Sequence, residues 1–255
     1  MKKFFVVFNL MFICSLSFAG LSVNPSIANI SGIQGSSCKN AYSVTSSYEE
    51  PVTVEVSLSN GNSFSGNGDL NVEDWLKFEK KQFDLQPGET AEVPYEVFIS
   101  TNMKGSVCGR VDFSTQQSAM INLSISVPVY VVVEGTDNIS FNIESLDISK
   151  SPRDGNYYYK MTIKNTGNVH IRHSGKIQIR KSGTRKELKN MTIEETVPTY
   201  CEQSRDFNGL FLSQKEMLED GKYVAKFIIN AFGKEATRKV KFRVKNKEIT
   251  VLKNK

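Results

Sequence analysis

The chain has 255 residues, with 32 Lys and Arg against 27 Asp and Glu, two His, one Trp and four Cys. This length fits one or two domains. A composition of 39% hydrophobic and 23% charged residues excludes a disordered chain, a collagen and a disulfide-packed miniprotein. So few His and Cys argue against a multi-ligand metal protein, and no cofactor or metal is expected.

Met1-Lys2-Lys3 is a short positive start, Phe4 to Phe18 is almost wholly apolar, and Ser17-Phe18-Ala19 places small residues before Gly20. This pattern predicts a secretory signal peptide over 1–19 and an exported protein, periplasmic or at the cell surface. The apolar run is too short for a comfortable membrane span, and no later stretch is long and apolar enough, so stable membrane insertion is not expected. Cys14 follows Phe12-Ile13, where a lipid-anchored signal needs small residues.

Strand signals then repeat to the end of the chain. Val52, Val54, Val56 and Leu58 alternate with polar residues, as do Val93, Tyr95, Val97 and Ile99 after Pro87-Gly88. Tyr157, Tyr159, Met161 and Ile163 precede an Asn165-Thr166-Gly167-Asn168 turn. Tyr223, Ala225, Phe227 and Ile229 follow Asp220-Gly221, and Val240, Phe242 and Val244 come last. Period-two alternation punctuated by Gly, Asn and Pro predicts an all-β protein of half-buried antiparallel strands. The one helical turn expected is Ser213 to Glu219. The longest alternation places Ile121, Leu123, Ile125, Val127, Val129, Val131 and Val133 on one face. Pro128 cannot donate to a ladder, so this strand needs an edge or a bulge there, and a bend near Pro128 is expected.

Glu134 to Asn138 reads as a linker. Splitting there predicts two tandem immunoglobulin-like β-sandwiches, 20–136 and 137–255, each of the right size. The first half holds 6 basic and 13 acidic residues, the second 24 and 14. The chain is therefore bipolar, and its overall charge is a poor guide to partners.

The mature chain keeps Cys38, Cys108 and Cys201. Export makes a disulfide plausible, and three pairs are possible. Cys38–Cys108 is favoured because both fall in strand-like segments of the first half. Such a long loop closure is worth roughly 4 kcal/mol in the chain-entropy model. His170 and His173, three apart, fall on opposite faces of a strand and read as exposed residues beside a turn. Glu194-Glu195 reads as a solvated face. With no nucleophile elbow, phosphate loop or zinc-protease helix, the chain is read as a non-enzyme.

Two basic clusters stand out. Arg172, Lys176, Arg180, Lys181, Arg185, Lys186 and Lys189 are close together, and Arg238, Lys239, Lys241, Arg243, Lys245 and Lys247 follow later. Lys239, Lys241, Arg243 and Lys245 interleave with Val240, Phe242 and Val244, which predicts one exposed strand face. It reads either as solubility and edge protection or as contact with an anionic surface such as envelope polysaccharide. The acidic first half meeting the basic second, and so setting their angle, is a further reading. Nucleic acid is disfavoured by export and by the lack of interleaved aromatics.

Val23-Asn24-Pro25-Ser26-Ile27, Trp75-Leu76-Lys77-Phe78, Phe83 to Glu89, Gly105 to Phe113 and Val127 to Val131 resemble the N-terminal domain of periplasmic pilus chaperones and related major-sperm-protein-like sandwiches. Lys164 to Arg172, Ser174 to Ile179 and Gly221 to Ala225 resemble the second immunoglobulin-like domain of bacterial envelope proteins with this layout. The resemblance implies a chaperone-like accessory for secreted or surface β-subunits. It also implies a basic pair in the interdomain cleft, one residue from each end of the first domain, that grips a subunit's C-terminal carboxylate. Here Leu21 to Cys38 and Val111 to Ser149 contain no Lys or Arg, so that pair is missing in its usual form. Donation of an apolar strand to an incomplete partner remains, with Ile121, Leu123, Ile125 and Val127 as the expected protein-binding strand. The alternative is adhesion to an anionic glycan through Lys239, Lys241, Arg243 and Lys245.

Overall fold

The computed structural model describes residues 20–61, 67, 70–116, 123–195 and 197–252. The expected signal peptide and Ile121 lie outside the described residues. Among the described residues no helix is long and apolar enough to cross a membrane.

The chain folds as two all-β sandwiches. In the first, one sheet runs in the order β1 (Leu21–Asn24), β3 (Ser37–Ser46), β7 (Thr90–Phe98), β5 (Leu76–Phe78). The facing sheet runs β2 (Ala28–Gly32), β9 (Ser124–Val133), β8 (Ser106–Gln116), β4 (Val52–Asn60), β6 (Gln82–Leu85). The N-terminal segment thus crosses between sheets. β1 pairs antiparallel with β3, and β2 then pairs parallel with β9 from Ala28↔Val129 to Gly32↔Val133.

The alternating residues point as their period requires. Val52, Val54 and Val56 of β4, Val107, Val111 and Phe113 of β8, and Val127, Val129, Val131 and Val133 of β9 are buried in one core with Tyr42, Tyr95 and Trp75. Tyr42 stacks on Tyr95 at 4.8 Å and meets Phe113 edge-on at 5.4 Å. The β8–β9 register runs without a shift through Arg110↔Pro128, so Pro128 is accommodated by an edge rather than by a bulge.

A single turn of helix, α1 (Val72–Trp75), was not expected. Its signal is short: the Asp74 carboxylate accepts from the Asn71 N–H at 3.0 Å, and the Asn60 amide oxygen accepts from the Val72 N–H at 2.7 Å. α1 drives Trp75 into the core over Gly109 of β8, where a Cβ would lie 2.5 Å from Val72 and 3.0 Å from the indole.

In the second sandwich, β10 (Phe141–Lys150), β11 (Tyr157–Asn165) and β14 (Ser204–Leu212) form one sheet. The other runs β13 (Glu187–Ile193), β12 (Ser174–Lys181), β15 (Gly221–Ala231), β16 (Lys234–Lys245), β17 (Glu248–Leu252). Met161, Ile163, Ile177, Phe211, Phe227 and Phe242 fill its core. The expected helical turn shrinks to a 3-10 turn over Gln214–Glu216.

Replacing Gly109 by Val forces β-branched bulk into the Val72–Trp75 contact, and a loss of about 1–3 kcal/mol is expected. Trp75 is the lone tryptophan, so denaturant unfolding followed by its fluorescence measures this loss directly in the first sandwich.

Candidate functional site

β9 carries three different surfaces. Its odd residues enter the first core. Leu123 and Ile125 are only half-buried at the edge of that core, whereas Val127 is fully buried. The Thr115 N–H donates to the Leu123 carbonyl at 3.0 Å, so the odd positions of β9 carry the ladder to β8. The polar backbone groups of Ser124, Ser126 and Pro128 therefore point to the other edge. β2 covers that edge only from Val129 onward. Among the described residues, no strand is paired to 124–128 on that side. Of the strand residues expected to bind a partner, Leu123 and Ile125 thus flank an open edge, and Val127 belongs to the core.

The even, outward face of β8 and β9 meets the second sandwich. The Ser106 N–H donates to the Asn168 carbonyl at 2.9 Å, and the Ser106 hydroxyl accepts from the His170 N–H at 3.0 Å. The Asn168 side chain accepts from the Asn138 N–H at 2.6 Å and donates to the Thr136 carbonyl at 2.8 Å. Gly105 has φ +63°, and a Cβ there would lie 2.2 Å from the Asn168 carbonyl oxygen. The hydrogen bonds of this seam join neutral groups. The ion pairs Lys81–Glu73, Lys150–Glu248, Lys160–Asp206 and Lys189–Glu216 each lie within one sandwich.

Beside the seam is a cleft of about 600 Å³, bounded by β2, the end of β9 and loops of the second sandwich. Tyr130 forms its floor. The His170 ring stacks on Tyr130 at 4.3 Å, and the Arg172 guanidinium lies 5.4 Å from the Tyr130 centroid. Phe232, 55% exposed, borders the cleft edge-on to His170. Among the described residues Arg172 is the one Lys or Arg lining the cleft, which it shares with Asp137 and Glu195. Among the described residues its buried Nε has no hydrogen-bond partner, and neither does His170 Nδ1. Sequence reasoning placed Arg172 only in a diffuse basic cluster. Nothing in local spacing signals that the turn after β11 carries it to the first sandwich.

Both histidines are buried, against the expectation of exposed residues: His170 packs on Tyr130 and His173 meets Phe207 edge-on at 4.1 Å. Residues 170–173 leave the strand pattern except for one bridge, Ile171↔Thr199, so alternation does not govern them. Burial, and then the charge of Arg172, lowers the His170 pKa to about 4. Burial alone lowers that of His173 to about 4.

The expected Cys38–Cys108 disulfide is not formed; Cys38, Cys108 and Cys201 are all free thiols. Cys38 faces the first core from β3, where its sulfur accepts from the Asn40 amide at 3.3 Å. Cys108 is an even residue of β8, so it points away from the core that holds Val107 and Val111.

Lys239, Lys241, Arg243 and Lys245 are exposed along β16, as expected. Lys226 and Lys222 lie directly across from Lys239 and Arg243 on β15, which widens the basic face.

No family model matches the chain, and no curated protein matches it. Solved structures of periplasmic fimbrial chaperones do match over most of its length. A chain of a chaperone–tip adhesin complex of CFA/I fimbriae biogenesis is 16% identical, covering 87% of this chain and 98% of its own, with a TM-score of 0.48. The class 5 fimbriae chaperone CfaA is 17% identical over 86% and 97%, with a TM-score of 0.47. The E. coli chaperone DraB is 12% identical over 89% and 96%, with a TM-score of 0.44.

The buried imidazoles predict an acid-sensitive fold. Unfolded His takes its proton near pH 6.5, and the folded residues do so only near 4. Stability present above about pH 6.5 is therefore lost as the pH falls toward 4, on the order of 3 kcal/mol from one imidazole. His170→Phe keeps the stack on Tyr130 and should flatten part of this slope in denaturant titrations at pH 4.5 and 7.

Proposed function

We propose that the chain is an exported, non-enzymatic accessory protein of two domains, 20–136 and 137–255. In this reading it holds a secreted or surface β-subunit by adding a strand at the edge of β9. The observation that carries the proposal is the edge at Ser124–Pro128, unpaired among the described residues and flanked by half-buried Leu123 and Ile125. An exposed edge with outward N–H and C=O groups is a template for another strand, and flanking apolar side chains give such a strand something to bury.

The cleft adds a reading of how a partner's chain end is held. The basic pair expected of a chaperone cleft is missing from the first domain, and Arg172 reaches the same floor from the second. A guanidinium held against Tyr130, whose Nε has no hydrogen-bond partner among the described residues, suits a single carboxylate. Asp137 and Glu195 in the same lining oppose a polyanion, so the ligand is a peptide chain end rather than a sulfated or phosphorylated polymer. A periplasmic place of action follows from this role together with the N-terminal segment.

The test is capture of β-rich secreted proteins from an envelope extract by the purified protein, washed in high salt. Leu123→Asp with Ile125→Asp should abolish capture. Ser126→Pro should weaken it at least tenfold while leaving folding intact, because it removes an outward donor and no core contact. Arg172→Ala should weaken capture of a subunit with a free C-terminus and not of one whose C-terminus is amidated, with Arg172→Lys intermediate. Binding that persists through all of these, but is lost in salt and in the Lys239→Glu, Lys241→Glu, Arg243→Glu variant, would move the site to the basic face and favour an anionic glycan.

A further inference from the structure

We propose that Cys108 and Cys201 are a paired modification site: a reversible disulfide between them fastens the first sandwich to the second. Cys201 lies in the loop before β14, and its sulfur is 3.6 Å from the Ser106 hydroxyl. Ser106 and Cys108 are two residues apart on the same outward face of β8, a step of about 7 Å along a strand. The Cys201 sulfur therefore stands over β8 within one side-chain step of Cys108. Cys108 and Tyr200, the residue before Cys201, also line a common cavity of about 320 Å³ beside Pro128 and Tyr130. Cys201 is moreover among the groups that raise the Cys108 thiol, after burial itself, which places the two sulfurs in each other's field.

The third thiol does not compete. Cys38 belongs to the opposite sheet and faces the first core. A Cys108–Cys201 bond would cross the seam beside the Ser106–His170 and Ser106–Asn168 hydrogen bonds, so it would lock the interdomain angle that these bonds set. It would leave the open edge of β9 untouched.

The chemistry is thiol–disulfide exchange with a small-molecule or protein disulfide as oxidant. One thiolate attacks the oxidant's disulfide and releases one reduced thiol. The second then attacks the mixed disulfide and releases another. Two protons and two electrons leave the protein, and the oxidant becomes two thiols. Burial raises both thiols, so the exchange is slow while the seam is closed and proceeds during folding or when the seam opens.

The experiment refolds the reduced chain from Gly20 to Lys255, without the expected signal segment that carries Cys14, from denaturant in a buffer of reduced and oxidised glutathione, blocks free thiols, and maps the unreduced digest by mass spectrometry. A peptide linking Cys108 to Cys201, 2 Da lighter than its reduced parts, is expected, with Cys38 alkylated. Reduction should then lower Tm of the wild type by about 5 °C or more and leave that of Cys201→Ser unchanged. Far-UV circular dichroism of Cys201→Ser, which reads the strands of both sandwiches, reports whether the variant folds. Linkage through Cys38, or glutathione adducts on Cys108 and Cys201 without a cross-link, would overturn the proposal. So would a cross-link whose reduction leaves Tm unmoved, since it would then fasten nothing.

Discussion

The arrangement of the molecule depends on Asn168. Its backbone carbonyl accepts from Ser106, and its side chain bonds the linker through Asn138 and Thr136. These bonds run to both the first sandwich and the linker, so the turn after β11 cannot rotate freely. Gly105 allows the close approach, since any Cβ there would strike the Asn168 carbonyl. Two sandwiches joined by a short linker would otherwise be expected to move relative to each other. Here a few neutral hydrogen bonds, with the Ser106–His170 bond buried among them, set the angle. Buried bonds of this kind are costly to leave unmade, which gives a small contact a large say.

With the angle set, β9 becomes the centre of the molecule. Its odd face completes the first core, its even face at Tyr130 builds the floor of the cleft, and its other edge is left open at Ser124–Pro128 among the described residues. The three uses do not compete, because side-chain alternation separates the faces and the backbone ladder occupies a third direction. Edge strands are normally blunted by charge, proline or cover. Pro128 and β2 protect the second half of β9 in that way. The first half keeps its donors and its half-buried Leu123 and Ile125.

The cleft and the thiol pair are both products of the seam. Arg172, His170 and Cys201 come from loops of the second sandwich, and each reaches Tyr130, Ser106 or the face that holds Cys108. Residues far apart in the chain meet there because neutral seam contacts hold the loops against β8 and β9. The basic face of β16 is separate from all of this. It is a solvated strand face whose cross-strand neighbours Lys222 and Lys226 add to its charge.

The sequence by itself determined the all-β class, the strands around Val52, Val93, Tyr157, Tyr223 and Val240, and the exposed face of Lys239 to Lys245. These are local properties: alternation of period two decides which side chains are buried whatever the strand's neighbours are. The same alternation places Cys108 opposite Val107 and Val111, and so already speaks against its pairing with Cys38 across the core. The α1 turn was not read from the sequence, because its local signal is only Asn71 and Asp74 and the Asn60 oxygen that completes it comes from β4. Tertiary structure alone decided which edge of β9 stays open, because that depends on where β2 stops. It also buried His170 and His173, brought Arg172 to the floor of the cleft and set Cys201 over β8. Those outcomes turn on how two sandwiches pack, and no periodicity within either half encodes a contact made only when both are folded.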